Sequence, residues 1–190
     1  MTQLIAGLVT FFAPHSVSIF AVDWRDRMAA TYGAGWKAAY AIVSLIGLVL
    51  VARGYAELRN TPTVLYVTPY WMRHVSAVLL LPVFVLFLAS IFPGRIQTAT
   101  KNPLLVATKL WALAHLLVNG TLADVLLFGS FLVWAVLDRI SLKRRTPRAV
   151  PGAPASAAND VIVVVAGLAL YAVTVVWAHA ALFGVPVIPG

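Results

Sequence analysis

Six apolar runs constrain this chain more than any other feature, because each is near the roughly 20 residues that an α-helix needs to cross a bilayer. They cover about residues 1–22, 36–52, 75–92, 103–119, 122–137 and 161–183. Hydrophobic residues make up 62% of the chain and charged ones 11%, against about 45–50% and about 25% in soluble domains. Helix packing in lipid, rather than burial from water, must therefore organise the fold. The pattern predicts an all-α integral membrane protein, a bundle of about six transmembrane helices. The second and fifth runs are short, and Lys37 and Arg139 are placed to snorkel at their ends. The first run lacks a basic leader and is long enough to span, so it reads as a helix of the bundle rather than a cleaved signal peptide.

Basic side chains give an orientation. The loops after the first, third and fifth runs hold Arg25, Arg27 and Lys37, then Arg95 and Lys101, then Arg139, Lys143, Arg144, Arg145 and Arg148, ten in all. The opposite side has Arg53, Arg59 and Arg73, all in one loop, while Lys109 falls inside a run. The positive-inside rule then puts the ten-charge side in the cytoplasm and both termini on the non-cytoplasmic side, as in a multi-pass protein of a bacterial inner membrane. The net charge of +8 belongs to loops facing anionic lipid. With no charged helix face and no basic patch interleaved with aromatics, nucleic acid is set aside as a partner.

Between the runs, residues 146–159 (TPRAVPGAPASAAN) have the Pro- and Ala-rich composition of a flexible cytoplasmic linker. The chain thus divides into a five-helix membrane core over 1–145, that linker, and a final transmembrane helix with a short tail over 160–190. Residues 60–71, with Pro62, Pro69, Tyr66, Tyr70 and Trp71, read as an external loop lying at the interface. Asn119-Gly120 marks a tight turn between the fourth and fifth runs, and Thr121 with Asp124 matches a capping box for the helix that follows.

Two histidines sit inside these runs. No charged side chain accompanies His15 within residues 1–22, and only Lys109 accompanies His115 within 104–119. An imidazole in hydrocarbon must find a partner, so each marks a functional site or a hydrogen bond to a neighbouring helix. The chain has no cysteine, which excludes disulfides, thiolate ligation and Fe–S clusters and leaves histidine as its strong ligand for a metal or haem. At 1.5 Å per residue, His15 lies about 10 Å and His115 about 16 Å from the cytoplasmic face, depths that suit one shared site. Phe11, Phe12, His15, Ser18 and Ile19 share one helical stripe; Thr108, Trp111, Ala112, His115 and Asn119 share another. Such stripes suit a flat apolar cofactor. His74 and His179 fall nearer the outer interface, where an imidazole costs little, and stay open as replacements for His15. Asp124 is placed either to hold the His115 ring N–H, with Asn119 as competitor, or to cap its own helix.

The residues also carry a resemblance. Phe11-Phe12-x-x-His15-Ser16, Arg27 and Gly35-Trp36-Lys37-x-x-Tyr40-x-x-x-Ser44-Leu45-x-Gly47-Leu48 resemble the first half of the NnrU family. Pro103-Leu104, Trp111-Ala112-Leu113-Ala114-His115-Leu116-Leu117-x-Asn119-Gly120 and Leu127-Phe128-Gly129-Ser130-Phe131 resemble its second half, so the likeness runs from residue 1 to about 145. That family is similar to the 15-cis-zeta-carotene isomerases, membrane proteins that hold haem b through histidines. The resemblance implies haem b as cofactor, with His115 in the position of the isomerase ligand and His15 in the corresponding His-Ser position. Ala112 replaces the cysteine of the isomerase motif, which removes any ligand exchange through that thiol. Lys101-Asn102-Pro103 replaces the Arg-His-Pro more usual in the family.

Three function classes follow. One is a haem-b membrane protein of nitric oxide or denitrification metabolism, binding a small gaseous ligand. The second is a haem-dependent cis-trans isomerase of an apolar polyene lipid, and the third a small transporter. Against the third stand the lack of a paired acid–base chain within the runs and the absence of an internal repeat.

Overall fold

The computed structural model describes residues 1–146, 148 and 152–187. The helices are α1 (Thr2–Phe20), α2 (Val22–Tyr32), α3 (Ala34–Arg59), α4 (Met72–Leu80), α5 (Val83–Ala89), α6 (Arg95–Thr100), α7 (Pro103–Leu116), α8 (Leu122–Leu142) and α9 (Ala158–Val173). A π-helical turn, Thr174–Ala178, joins α9 to α10 (His179–Phe183). Among the described residues the only extended pairing is an isolated bridge between Val64 and Thr121. Five segments are long and apolar enough to cross a membrane: Thr2–Phe20, Ala34–Arg59, Met72–Ala89, Leu122–Leu142 and Ala158–Phe183. Their outward side chains, such as Ile42, Leu45 and Leu48 of α3 and Val161 and Val165 of α9, are apolar. Water would penalise that surface, and lipid does not. The protein is an all-α membrane protein.

Several boundaries differ from the run pattern. The second run, expected over 36–52, is a helix of 26 residues, about 39 Å long. Arg53 and Arg59 therefore belong to α3 rather than to a loop. Arg53 and Glu57 stand one turn apart on it, and Arg59 occupies the last turn, where a cation suits the helix dipole. The fifth run continues to Leu142, taking Arg139 into the helix. Arg25 and Arg27 lie on helix α2 rather than in an irregular loop. The fourth run is the short one: α7 has 14 residues and stops at Leu116. Of the expected linker and tail, residues 147, 149–151 and 188–190 lie outside the described residues.

The chain forms two compact units, one from Met1–Pro69 and His115–Pro147, the other from Tyr70–Ala114 and Arg148–Gly190. In the first unit α1 and α3 run antiparallel at glycine-mediated close approach. A methyl group on Gly7 would stand 2.5 Å from the Val51 nitrogen, and one on Gly47 would stand 2.5 Å from the Phe11 nitrogen. Gly54 meets the Leu4 backbone in the same way. Backbones pack this closely in lipid because dispersion and small residues, not water exclusion, hold such helices together. Helix α8 packs on both α1 and α3. Its Gly129, by contrast, faces open space. Gly47→Ala is therefore expected to destabilise the protein by about 1–3 kcal/mol through overpacking. Gly129→Ala should be neutral or stabilising by up to about 1 kcal/mol through helix propensity. Thermal unfolding of both variants in detergent checks this opposition of sign.

In the second unit α5 and α9 pack antiparallel, with Gly167 against the Val85 backbone and the Tyr171 hydroxyl donating to the Ala77 carbonyl at 3.1 Å. The break between α4 and α5 falls at Pro82, which has no N–H to continue the first helix. Asp160 in the first turn of α9 accepts from the Arg95 and Ile96 N–H groups, each at 3.0 Å, and so caps α6. The Asn159 amide donates to the Pro93 and Pro154 carbonyls at 2.8 and 2.9 Å, and the Ala153 N–H to Ile91 at 2.8 Å.

Candidate functional site

His115 stands at the point where α7 ends. Its carbonyl accepts from both the Val118 and Asn119 N–H groups, at 3.1 and 2.8 Å, so the chain turns instead of continuing as helix. The loop after α3 secures that turn. The Gly120 carbonyl accepts from Leu65 and Tyr66 at 2.8 and 3.1 Å, and the Leu122 N–H donates to Thr63 at 2.8 Å. The Tyr66 hydroxyl donates to the carbonyls of Leu116 and Asn119, acceptors that a helix end would otherwise leave open. Burial, with the Asp124 carboxylate adding to it, holds the Tyr66 phenol above its ordinary pKa, so it stays a neutral donor at physiological pH.

Thr121 caps α8 in a full capping box with Asp124, the arrangement read from the sequence. The Asp124 carboxylate accepts from the Thr121 N–H at 2.9 Å, from the Thr121 hydroxyl at 2.6 Å and from the Tyr55 hydroxyl at 2.5 Å. Asp124 therefore does cap its own helix, and α3 reaches it through a tyrosine. One turn further along α8, Phe128 stacks on His115, with centroids 4.5 Å apart, and meets Tyr55 edge-on at 6.3 Å.

His15 lies in a second ring cluster of the same unit. Its ring stacks on Phe11 at 4.2 Å and contacts Tyr40 at 5.0 Å and Trp134 at 5.8 Å. Phe12 stacks on Trp134 at 5.8 Å and meets Phe131 at 4.9 Å, and Phe131 contacts Phe11 at 5.4 Å. His15 Nδ1 is 2.6 Å from the Phe11 carbonyl. A carbonyl can only accept, so Nδ1 carries the proton and the neutral ring presents a lone pair at Nε2. A groove of about 450 Å³ runs along α8, lined by Phe12, Val125, Gly129, Val133, Trp134 and Leu137 among others. Trp134 is shared between this groove and the His15 cluster.

Phe11, Phe12 and His15 are thus brought together, and Asn119, Asp124 and His115 gather where α7 turns into α8. Phe128 and Trp134, the α8 partners of the two histidines, are six residues or about 9 Å apart along the axis. Thr108, Trp111 and Ala112 lie on α7 within the second unit; Ala112 is fully buried, and the Thr108 hydroxyl donates to the Leu104 carbonyl at 2.9 Å. His74, in the first turn of α4, and His179, whose Nδ1 lies 2.7 Å from the Val185 carbonyl, also belong to the second unit. The sequence pattern did not single out Tyr55 and Trp134, and it named Tyr40 and Phe131 only within the family motifs. The stripe Asp124, Phe128, Phe131, Trp134 at helical spacing was there to be read in the fifth run. Tyr55 was not, because its helix was expected to end at residue 52.

For a haem, His15 offers the donor chemistry, an Nε2 lone pair within an apolar ring cluster, while the groove along α8 is lined by apolar and aromatic side chains and by neither histidine. Among the described residues no cluster of three or more His, Asp or Glu side chains forms a metal site, and axial ligation of a haem requires no such cluster.

The fold and its intramembrane imidazoles define a multi-pass helical membrane protein with a ligand-competent histidine in an apolar ring cluster. The chain belongs to the NnrU family: the family model described as NnrU protein matches residues 3–187, and so continues past residue 145, where the motif resemblance stops. No curated protein and no solved structure matches the chain.

Proposed function

We propose that this protein holds haem b through His15 and His115 and serves nitric oxide or denitrification metabolism in a bacterial inner membrane. The observation that carries the reading is the His15 hydrogen bond to the Phe11 carbonyl, which fixes the ring and leaves Nε2 for a metal. Phe11 and Tyr40 pack the ring, and Phe128 orients His115 by stacking. Phe12 and Trp134 line the groove with apolar rings. When bound, haem supplies an iron that exchanges electrons and takes a small gaseous ligand. Protein purified in mild detergent is expected to carry close to one haem per chain by pyridine haemochrome assay. A Cβ at Gly129 meets no protein atom within 4 Å, so Gly129→Leu places its side chain in the groove and should lower that content severalfold with the helical circular dichroism unchanged. A wild-type protein free of haem after expression with ample haem supply overturns the reading.

The charge bias supports a topology with both termini outside and the Lys143–Arg145 region in the cytoplasm. The chain has no cysteine, so Thr2→Cys and Arg144→Cys report cleanly. In intact spheroplasts an impermeant thiol reagent should label position 2 and not position 144; the reverse pattern inverts the topology.

A further inference from the structure

Helix α2 joins the ends of two antiparallel spanning helices, α1 and α3, and so lies at the level where both leave the apolar layer. It has no buried residue. Trp24 of α2 meets Trp36, in the first turn of α3, edge-on with centroids 5.5 Å apart. Trp24 is 43% exposed and Tyr32 61%, and amphipathic rings of this kind collect at headgroup depth. The end of α8 reaches the same level. Arg145, just past that end, donates from Nη1 to the Ser18 carbonyl at 2.7 Å, two residues before α1 stops. All of these segments belong to the first unit.

Positive charge gathers at this end without being matched. Arg25, Arg27, Lys37, Arg139, Lys143, Arg144 and Arg145 stand there against Asp23, Asp26 and Asp138. Arg25 pairs with Asp26 at 3.0 Å and Arg145 with Asp138 at 2.5 Å. Among the described residues the other five cations make no ion pair or side-chain hydrogen bond, and only Asp23 is left to oppose them. Arg27, Lys37, Lys143 and Arg144 are exposed. Lys37 stands in the first turn of α3, where the helix dipole repels a cation. Spanning helices suit acyl chains, and exposed cations beside aromatic rings at headgroup depth suit a negatively charged headgroup. We propose that the corner of α1, α2 and α3, with the end of α8, is a binding surface for anionic phospholipid. Arg27, Lys37, Lys143 and Arg144 meet the headgroups. The charge bias of the loops gives only an orientation; the unmatched cations and the tryptophan pair add a lipid preference, independent of the haem reading.

The full chain in mild detergent, offered equimolar phosphatidylglycerol and phosphatidylcholine of matched acyl length, tests the surface, with retained lipid counted by native mass spectrometry. The wild type should retain phosphatidylglycerol about tenfold or more over phosphatidylcholine, since each basic residue near a membrane surface contributes about fivefold. Arg27→Gln/Lys37→Gln and Lys143→Gln/Arg144→Gln should each lower that preference about fivefold or more, with phosphatidylcholine retention unchanged. Arg53→Gln/Arg73→Gln removes the same charge from exposed positions elsewhere, in the far half of α3 and in α4, and should leave the preference unchanged. Equal retention of the two lipids by the wild type overturns the proposal. An equal loss in the Arg53/Arg73 variant also overturns it, by showing that net charge alone sets the preference. Displacement of phosphatidylglycerol by an equal concentration of free glycerol phosphate overturns it too, by showing a phosphate site rather than a lipid surface.

Discussion

His15→Ala is expected to lower haem affinity by more than about 100-fold, since altering even the outer partners of a metal ligand costs about 10- to 100-fold. The variant deletes the Nε2 donor and also the ring packed between Phe11, Tyr40 and Trp134. Loss of packing alone would appear as a lower unfolding temperature, so the comparison needs His15→Phe, which refills the cluster without a ligand. That second variant should regain stability and still fail to retain haem. His179→Ala, in the second unit with its Nδ1 beside Val185, should leave haem content at the wild-type level. Haem content measured on the three purified proteins checks the set.

Asp124→Ala carries the largest expected effect on the fold. Asp124 is 5% exposed and accepts from Thr121 and Tyr55. Its removal costs the return half of the α8 capping box, about 1 kcal/mol, and leaves the Tyr55 hydroxyl without its acceptor in apolar surroundings, about 1–3 kcal/mol more. A loss of about 2–4 kcal/mol follows. Tyr55→Phe removes donor and demand together and should cost less than half as much. In the double variant the Tyr55 change should recover part of the Asp124→Ala loss. Denaturant unfolding in detergent, followed by tryptophan fluorescence, resolves the three values. Additive losses in the double variant contradict the coupling.

Much of this arrangement was legible in the sequence. Run length and hydropathy located the spanning helices, and the capping box at Thr121 and Asp124 followed from residue type and spacing. The positions of His15 in an uncharged run and of His115 in a run with one lysine marked the two residues around which the ring clusters form. The rest depended on pairings that periodicity does not encode. The extent of α3 was hidden because Arg53, Glu57 and Arg59 look like loop residues, yet long side chains that snorkel allow a helix to outrun its apolar stretch. The Asn119-Gly120 turn was legible, but not the distant strap that braces it, in which Thr63, Leu65 and Tyr66 bond to Leu116, Asn119, Gly120 and Leu122. Tyr55 reaches Asp124 from a chain distance of 69 residues, and no spacing rule joins them. The register of α1 on α3 was likewise invisible, although Gly7, Gly47 and Gly54 hold the positions that permit it.

The most direct test of the haem site is the ferric spectrum of the purified protein, by absorption and electron paramagnetic resonance, for the wild type and for His15→Ala and His115→Ala. Ligation by both histidines predicts a low-spin, six-coordinate haem in the wild type, and either haem loss or conversion to a high-spin, five-coordinate form in each variant. A wild type without a Soret band, or spectra and haem content unchanged in both variants, would contradict the assignment.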